Sequence, residues 1–100
     1  MSKDLESDIE KFLVKKVRER GGIAYKWVSA GHAGVPDRIV IMPHGRVIFV
    51  ELKTLTGRVS KAQDIQINLL RRLGCDVRIL KGRDAVMSFV DEIGAQNDEV

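Results

Sequence analysis

A chain of 100 residues with 44% hydrophobic content is long enough for one core, which excludes a disordered chain and predicts one small domain. Its 17 Lys and Arg against 14 Asp and Glu leave a formal charge of +3 and a pI near 9.2, a mild lean toward an anionic partner that does not identify one. The single cysteine, Cys75, excludes an internal disulfide; with no apolar run of membrane length and no signal-peptide core, a soluble cytoplasmic protein is expected.

Lys3 to Arg20 is predicted to be a helix, because Ile9, Phe12, Leu13 and Val17 recur at i, i+3, i+4 spacing and Gly21-Gly22 stops it. Lys11, Lys15, Lys16, Arg18 and Arg20 concentrate the basic excess there. Ile23 to Val28 reads as a strand, and Ser29 to Pro36 as a loop holding Gly31 and Gly34.

Arg38 to Met42 and Val47 to Leu52 are β-rich runs around Pro43-His44-Gly45. Proline followed two residues later by glycine suits a three-residue hairpin loop, with Pro43 and His44 in a type I turn and Gly45 left-handed. That loop pairs Met42 with Arg46 and, counting back, Asp37 with Glu51. A four-residue loop would shift the register by one and separate the two acids onto opposite faces. One face then carries Asp37, Ile39, Ile41, Val47, Phe49, Glu51 and Lys53, and the other Val40, Met42, Ile48, Val50 and Leu52. Both are apolar, so helices are expected on both sides of the sheet.

A second helix is predicted from Ser60 to Leu73, ended by Gly74, with Ala62, Leu69, Leu70 and Leu73 as its apolar stripe. Val77 to Leu80 follows as a short strand. Asp84 is expected to cap a last helix with the stripe Val86, Phe89, Val90 and Ile93, leaving the domain at 1–94 and a polar tail over 95–100. The predicted class is α/β, in the order α-β-β-β-α-β-α.

Chemistry concentrates at the ends of the middle strands. Asp37 alone is an ordinary acid after proline. Glu51 and Lys53, two apart on a strand, point to the same face, beside Ile39, Ile41 and Phe49, where a solvated ladder of charges does not belong. Pro-Asp followed by Glu-x-Lys arises by chance in roughly one chain in a hundred of this length, so it needs its context. Carboxylates that hold a cation and an ammonium near the attacking water suit metal-dependent cleavage of a phosphodiester.

Glu10 lies beside the apolar stripe of the first helix; it serves either this site or a capping box, Ser7-x-x-Glu10, with Glu6 the competing acid. Ser60-x-x-Gln63 is a second capping-box pattern, and its helix start also favours phosphate, so Gln63 suits both roles; Gln66 is the reserve. Lys26, between Tyr25 and Trp27, is a phosphate candidate or a snorkelling edge lysine. His32 and His44 lack partners at metal-ligand spacing.

Taken in order, Glu10 on a first helix, Gly34-Val35-Pro36-Asp37, Phe49-Val50-Glu51-Leu52-Lys53 and Ser60-x-x-Gln63 resemble the stand-alone virus-type replication-repair nuclease (VRR-NUC) domain of the PD-(D/E)XK superfamily, over about Glu6 to Ile93. The resemblance implies a restriction-endonuclease-like core with a mixed sheet. It implies that Asp37 and Glu51 bind Mg²⁺ or Mn²⁺ with the Leu52 carbonyl, that Glu10 completes the acidic shell, that Lys53 orients the attacking water, and that Gln63 positions the lysine or the phosphate. Lys26 and Ser60 are the DNA candidates. It further implies a homodimer acting on branched DNA, like a Holliday-junction resolvase, in phage or prophage replication, recombination or repair, with no small-molecule cofactor. No base-reading motif is present, so recognition is expected to follow DNA shape. A non-catalytic nucleic-acid-binding domain on the same fold is the alternative, and a purely structural dimerisation module a third reading.

Overall fold

The computed structural model describes residues 4–98. It contains α1 (Glu6–Glu19), β1 (Ile23–Lys26), β2 (Arg38–Met42), a short turn at Pro43–Gly45, β3 (Arg46–Lys53), α2 (Lys61–Arg72), β4 (Val77–Lys81) and α3 (Gly82–Asp98). The order is the expected α-β-β-β-α-β-α.

Most boundaries differ by a residue, and the larger departures lie in α1, β1 and α3. Helix α1 starts at Glu6 rather than Lys3, a residue outside those described. The Asp8 carboxylate accepts the Leu5 N–H at 3.0 Å, so Asp8 serves the helix start and Glu10 is free for other partners. Strand β1 stops at Lys26, two residues before Val28. Helix α3 begins at Gly82, so Asp84 lies in its first turn instead of capping it, and the helix continues through Ala95 to Asp98 where a tail is expected. Residues 99–100 lie outside the described residues.

The strands form one four-stranded sheet in the order β1-β2-β3-β4. The first two pairings are antiparallel and β3–β4 is parallel, giving a mixed sheet. Met42 faces Arg46 and Arg38 faces Val50, the register the three-residue loop demands. The turn itself is not type I: His44 (φ 69°, ψ 17°) and Gly45 (φ 76°) are both left-handed. The loop length, not the turn class, fixes which side chains share a face.

Val40, Met42, Ile48, Val50 and Leu52 are all buried against Ile9, Leu13 and Val17 of α1 and Val86, Val90 and Ile93 of α3. Burying each such side chain contributes about 1.5–3 kcal/mol. The opposite face is covered less. Helix α2 lies over its β3 end, where Gln63 meets Glu51, and the Trp27 ring packs on Phe49 at 5.0 Å between centroids. Ile23 and Tyr25 of β1 and Val47 near the start of β3 remain exposed. Of α2, Ile67 is the buried residue, whereas Ala62, Leu69 and Leu73 of the expected stripe are exposed. Helices therefore cover one face of the sheet fully and the other in part.

Candidate active site

The β2–β3 ladder ends at Arg38–Val50, and its register continued by one residue puts Asp37 across from Glu51. Two hydrogen bonds fix Asp37 there. Its carboxylate Oδ2 accepts the Leu52 N–H at 3.0 Å, and its carbonyl accepts the Trp27 N–H at 3.0 Å. The acid is thus held by the main chain of β3 on one side and of the segment after β1 on the other.

Glu51 is 0% exposed, which a carboxylate tolerates only when compensated. Its Oε2 lies 3.1 Å from Lys53 Nζ and accepts Gln63 Nε2 at 2.9 Å. Its Oε1 is buried and has no hydrogen-bond partner. Burial, with the Asp37 charge next in size, pushes the Glu51 carboxyl up to about 7 against the opposing pull of Lys53. Burial likewise raises Asp37, more than the Leu52 N–H lowers it. Burial works against the Lys53 ammonium too, yet its hydrogen bond and charge pairing with Glu51, aided by Glu6, carry its pKa upward.

Two acids lifted by burial, Glu51 further by the Asp37 charge and Asp37 by those of Glu10 and Glu6, with one orphaned buried oxygen on Glu51, suit a hard cation. Among the described residues no group of three or more His, Cys, Asp or Glu side chains gathers around one point. The donor set is a carboxylate pair, to be completed by main-chain and water oxygens, which suits Mg²⁺ or Mn²⁺ far better than zinc.

Gln63 joins the two roles expected of it. Ser60 Oγ accepts the Gln63 N–H at 3.1 Å and Gln63 Oε1 accepts the Ser60 N–H at 2.9 Å, closing a capping box, while its Nε2 reaches Glu51. The start of α2 is set against the loop before Asp37 by Gly34. A Cβ there would lie 2.5 Å from Ala62 C and O and 2.7 Å from Gln63 N, at a φ of +92°. The glycine of Gly34-Val35-Pro36-Asp37 is therefore a contact point between loop and helix.

The first helix contributes two acids to different places. Glu6 Oε1 lies 3.4 Å from Lys53 Nζ. Glu10 turns its Oε2 to Arg38 Nε at 2.7 Å and Lys26 Nζ at 3.0 Å. Sequence reasoning missed Arg38, whose one signal was a charge directly after Asp37 in an apolar strand. Of the DNA candidates, Lys26 pairs with Glu10 and Ser60 is occupied as the cap of α2. Gln66 is half-buried, His44 sits exposed in the hairpin turn, and Cys75 is half-buried.

The family model of the VRR-NUC domain matches residues 4–84. "Putative nuclease p44" of Acyrthosiphon pisum secondary endosymbiont phage 1 is 47% identical over 79 residues, covering 79% of this chain and 85% of the relative. A solved VRR-NUC domain superposes with a TM-score of 0.81 at 25% identity, over 86% of this chain and 94% of the other. A solved VRR-NUC domain protein gives 0.73 at 17% identity over 92% and 89%, a likeness of fold. No helix among the described residues is long and apolar enough to cross a membrane.

Proposed function

The chain belongs to the VRR-NUC domain family, and from that premise, with the geometry of Asp37, Glu51 and Lys53, we propose that it is a metal-dependent DNA endonuclease. It is a nuclease with DNA as its substrate. The single observation that carries the metal reading is Glu51, buried, raised by burial and by the Asp37 charge, and left with Oε1 unpartnered.

Asp37 and Glu51 would hold Mg²⁺ or Mn²⁺ with the Leu52 carbonyl. When bound, the cation supplies Lewis-acid stabilisation and lowers the pKa of attacking water. Lys53 keeps its proton, because Glu51 and Glu6 favour the ammonium. It therefore acts as a donor that orients the water and meets the negative charge growing on the phosphoryl oxygens, rather than as a general base. Gln63 steadies Glu51 by its bond to Oε2, leaving Oε1 for the cation. On helix α1, Glu10, whose charge acts on Asp37 ahead of that of Glu6, completes the acidic shell in this reading while it also pairs with Arg38 and Lys26, and Glu6 lies at the ammonium.

The preferred substrate in this reading is branched DNA cut by a homodimer, in phage replication, recombination or repair within the host cytoplasm. The chain forms one domain, and two copies would set two such sites against two strands. Support comes from the family resemblance, from the phage relative and from the absence of any base-reading motif.

Labelled four-way, flap and linear duplex DNA incubated with Mg²⁺, Mn²⁺ or a chelator, beside Glu51→Ala and Lys53→Ala, tests this. Metal-dependent cuts lost in both variants are expected, with paired nicks on the four-way substrate. Cleavage surviving in chelator, or equal in all three proteins, removes the mechanism. A light-scattering mass at the monomer value removes the homodimer.

A further inference from the structure

We propose that the outer face of α1 is a second DNA contact, in which Lys11, Lys15 and Arg18 take the phosphates of a duplex arm that turns away from the cut. This rests on the nuclease reading above and deepens it, because it assigns the residues that favour branched over linear DNA.

The three residues stand at i, i+4 and i+7, one line along a helix, and all are exposed. Ile9, Leu13 and Val17 fix the opposite side of α1 in the core. Neighbouring bases are already paired, Lys16 with Glu19 at 3.3 Å and Arg20 with Asp91. Lys11, Lys15 and Arg18 pair with no acid among the described residues. No large apolar side chain of α1 is exposed, so this face offers nothing to the apolar core of a protein interface or to a lipid surface. A line of three unneutralised cations suits the repeating charge of a nucleic-acid backbone.

The place of this line relative to the cut decides which part of the DNA meets it. Helix α1 starts at the site, where Glu6 lies 3.4 Å from Lys53 Nζ and Glu10 bonds Arg38, the residue after Asp37. It ends at the hairpin end of the sheet, where a Cβ on Gly22 would meet both Val17 and Met42. The line therefore runs away from the cut along the strands, about 10 Å from Lys11 to Arg18 at 1.5 Å per residue. That length matches about three phosphates of one strand at 3.4 Å of axis each. Glu51 lies on the sheet face opposite Val50 and Leu52, which pack under α1, whereas the line points outward from α1. A straight duplex laid across the strand ends meets the start of α1 and then departs from it. DNA that turns at the cut, as an arm of a junction does, lays a strand along Lys11, Lys15 and Arg18.

The test compares wild type, the triple variant Lys11→Gln, Lys15→Gln, Arg18→Gln, and the control Arg72→Gln, an exposed base at the far end of α2. Glutamine keeps helix propensity, and circular dichroism confirms each fold. Binding of fluorescent four-way and linear duplex DNA is followed against salt in Ca²⁺, and cleavage of both in Mg²⁺. In the triple variant the slope of log affinity against log salt for four-way DNA is expected to fall by about 2 to 3 per bound protomer. Affinity should drop about tenfold or more for four-way DNA and less than about threefold for linear duplex, with the loss in cleavage carried by KM rather than kcat. Equal losses on the two substrates, or an unchanged salt slope, would overturn the inference. So would a loss per charge in Arg72→Gln as large as in the triple variant, because net charge alone would then explain it. Wild type with no preference for four-way DNA removes the branched-DNA reading and this inference together. Wild type that binds DNA but never cuts it sinks the nuclease reading alone, because the salt slopes are read without cleavage.

Discussion

Gln63 Nε2 donates to Glu51 Oε2 at 2.9 Å while the same side chain accepts the Ser60 N–H. One residue therefore closes the start of α2 and steadies the acid at the centre of the site. Ser60→Ala should remove the cap alone, costing about 1 kcal/mol of stability with cleavage nearly kept. Gln63→Ala should lose a similar amount of stability and also lower kcat, because Glu51 loses one of its two donors. Urea unfolding beside single-turnover cleavage separates the two, and equal cleavage in both variants would count against the double role.

Stability should depend on pH in an unusual direction. The folded value of Glu51, about 7, lies above its unfolded value of 4.5. Between them the folded protein binds more protons, so raising the pH through this window removes stability, and the loss is complete above about 7. The full difference is on the order of 3 kcal/mol. Asp37, raised by burial, adds in the same direction. Asp76, lowered first by its hydrogen bond to Arg78, has the opposite sign but acts below 3.8, outside the window. Metal-free urea titrations at pH 5 and pH 8 should differ accordingly, and Glu51→Gln should flatten most of the difference. Mn²⁺ at about a hundred times its Kd should restore about 2.7 kcal/mol at the higher pH. A metal-free wild type equally stable at both pH values would contradict the burial argument.

Lys53→Met keeps the aliphatic stem and removes the ammonium. Cleavage should fall roughly a hundred- to a thousandfold, the loss of one preorganised donor to transition-state charge. Mn²⁺ should bind at least as tightly, since Glu51 loses a competing positive charge. Calorimetry and single-turnover rates check both halves; weaker Mn²⁺ binding would mean that Lys53 organises the cation site rather than the reaction.

Two glycines in the same loop make a matched pair. Gly34→Ala meets both a left-handed φ and the main chain of Ala62 and Gln63, so about 2–4 kcal/mol should be lost and cleavage with it. Gly31→Ala has a similar φ of +80° but open space within 4 Å, and only about 1 kcal/mol is expected. Denaturant midpoints decide, and equal losses would remove the contact with α2 from the explanation.

The pairing of Asp37 with Glu51 was legible because a hairpin loop of fixed length transmits register along two strands, whatever class the turn adopts. The box of Ser60 and Gln63 was legible because capping depends on spacing within one turn of helix. The partners of Glu10 were not, since its position beside an apolar stripe says nothing of Arg38 and Lys26, which arrive from two other elements. Nor was the packing of α2. A period identifies an apolar face but not a surface to receive it, and Ile67, off the expected stripe, is the residue that goes inside. The charged end of α3 suggested a tail; a helix already anchored by Val86, Val90 and Ile93 continues through it.

Strand β3 is hydrogen-bonded to an antiparallel neighbour on one edge and a parallel one on the other. Phe49 and Val50 are paired on both edges, and Glu51 to Lys53 continue from them along β4, so their amide protons should exchange late. The loops at 27–37 and 54–60 have no such double anchorage. Lineages that alter those loops can reshape the rim of the site while Glu51 and Lys53 keep their spacing, so the rim and the centre are free to diverge at different rates in one small fold.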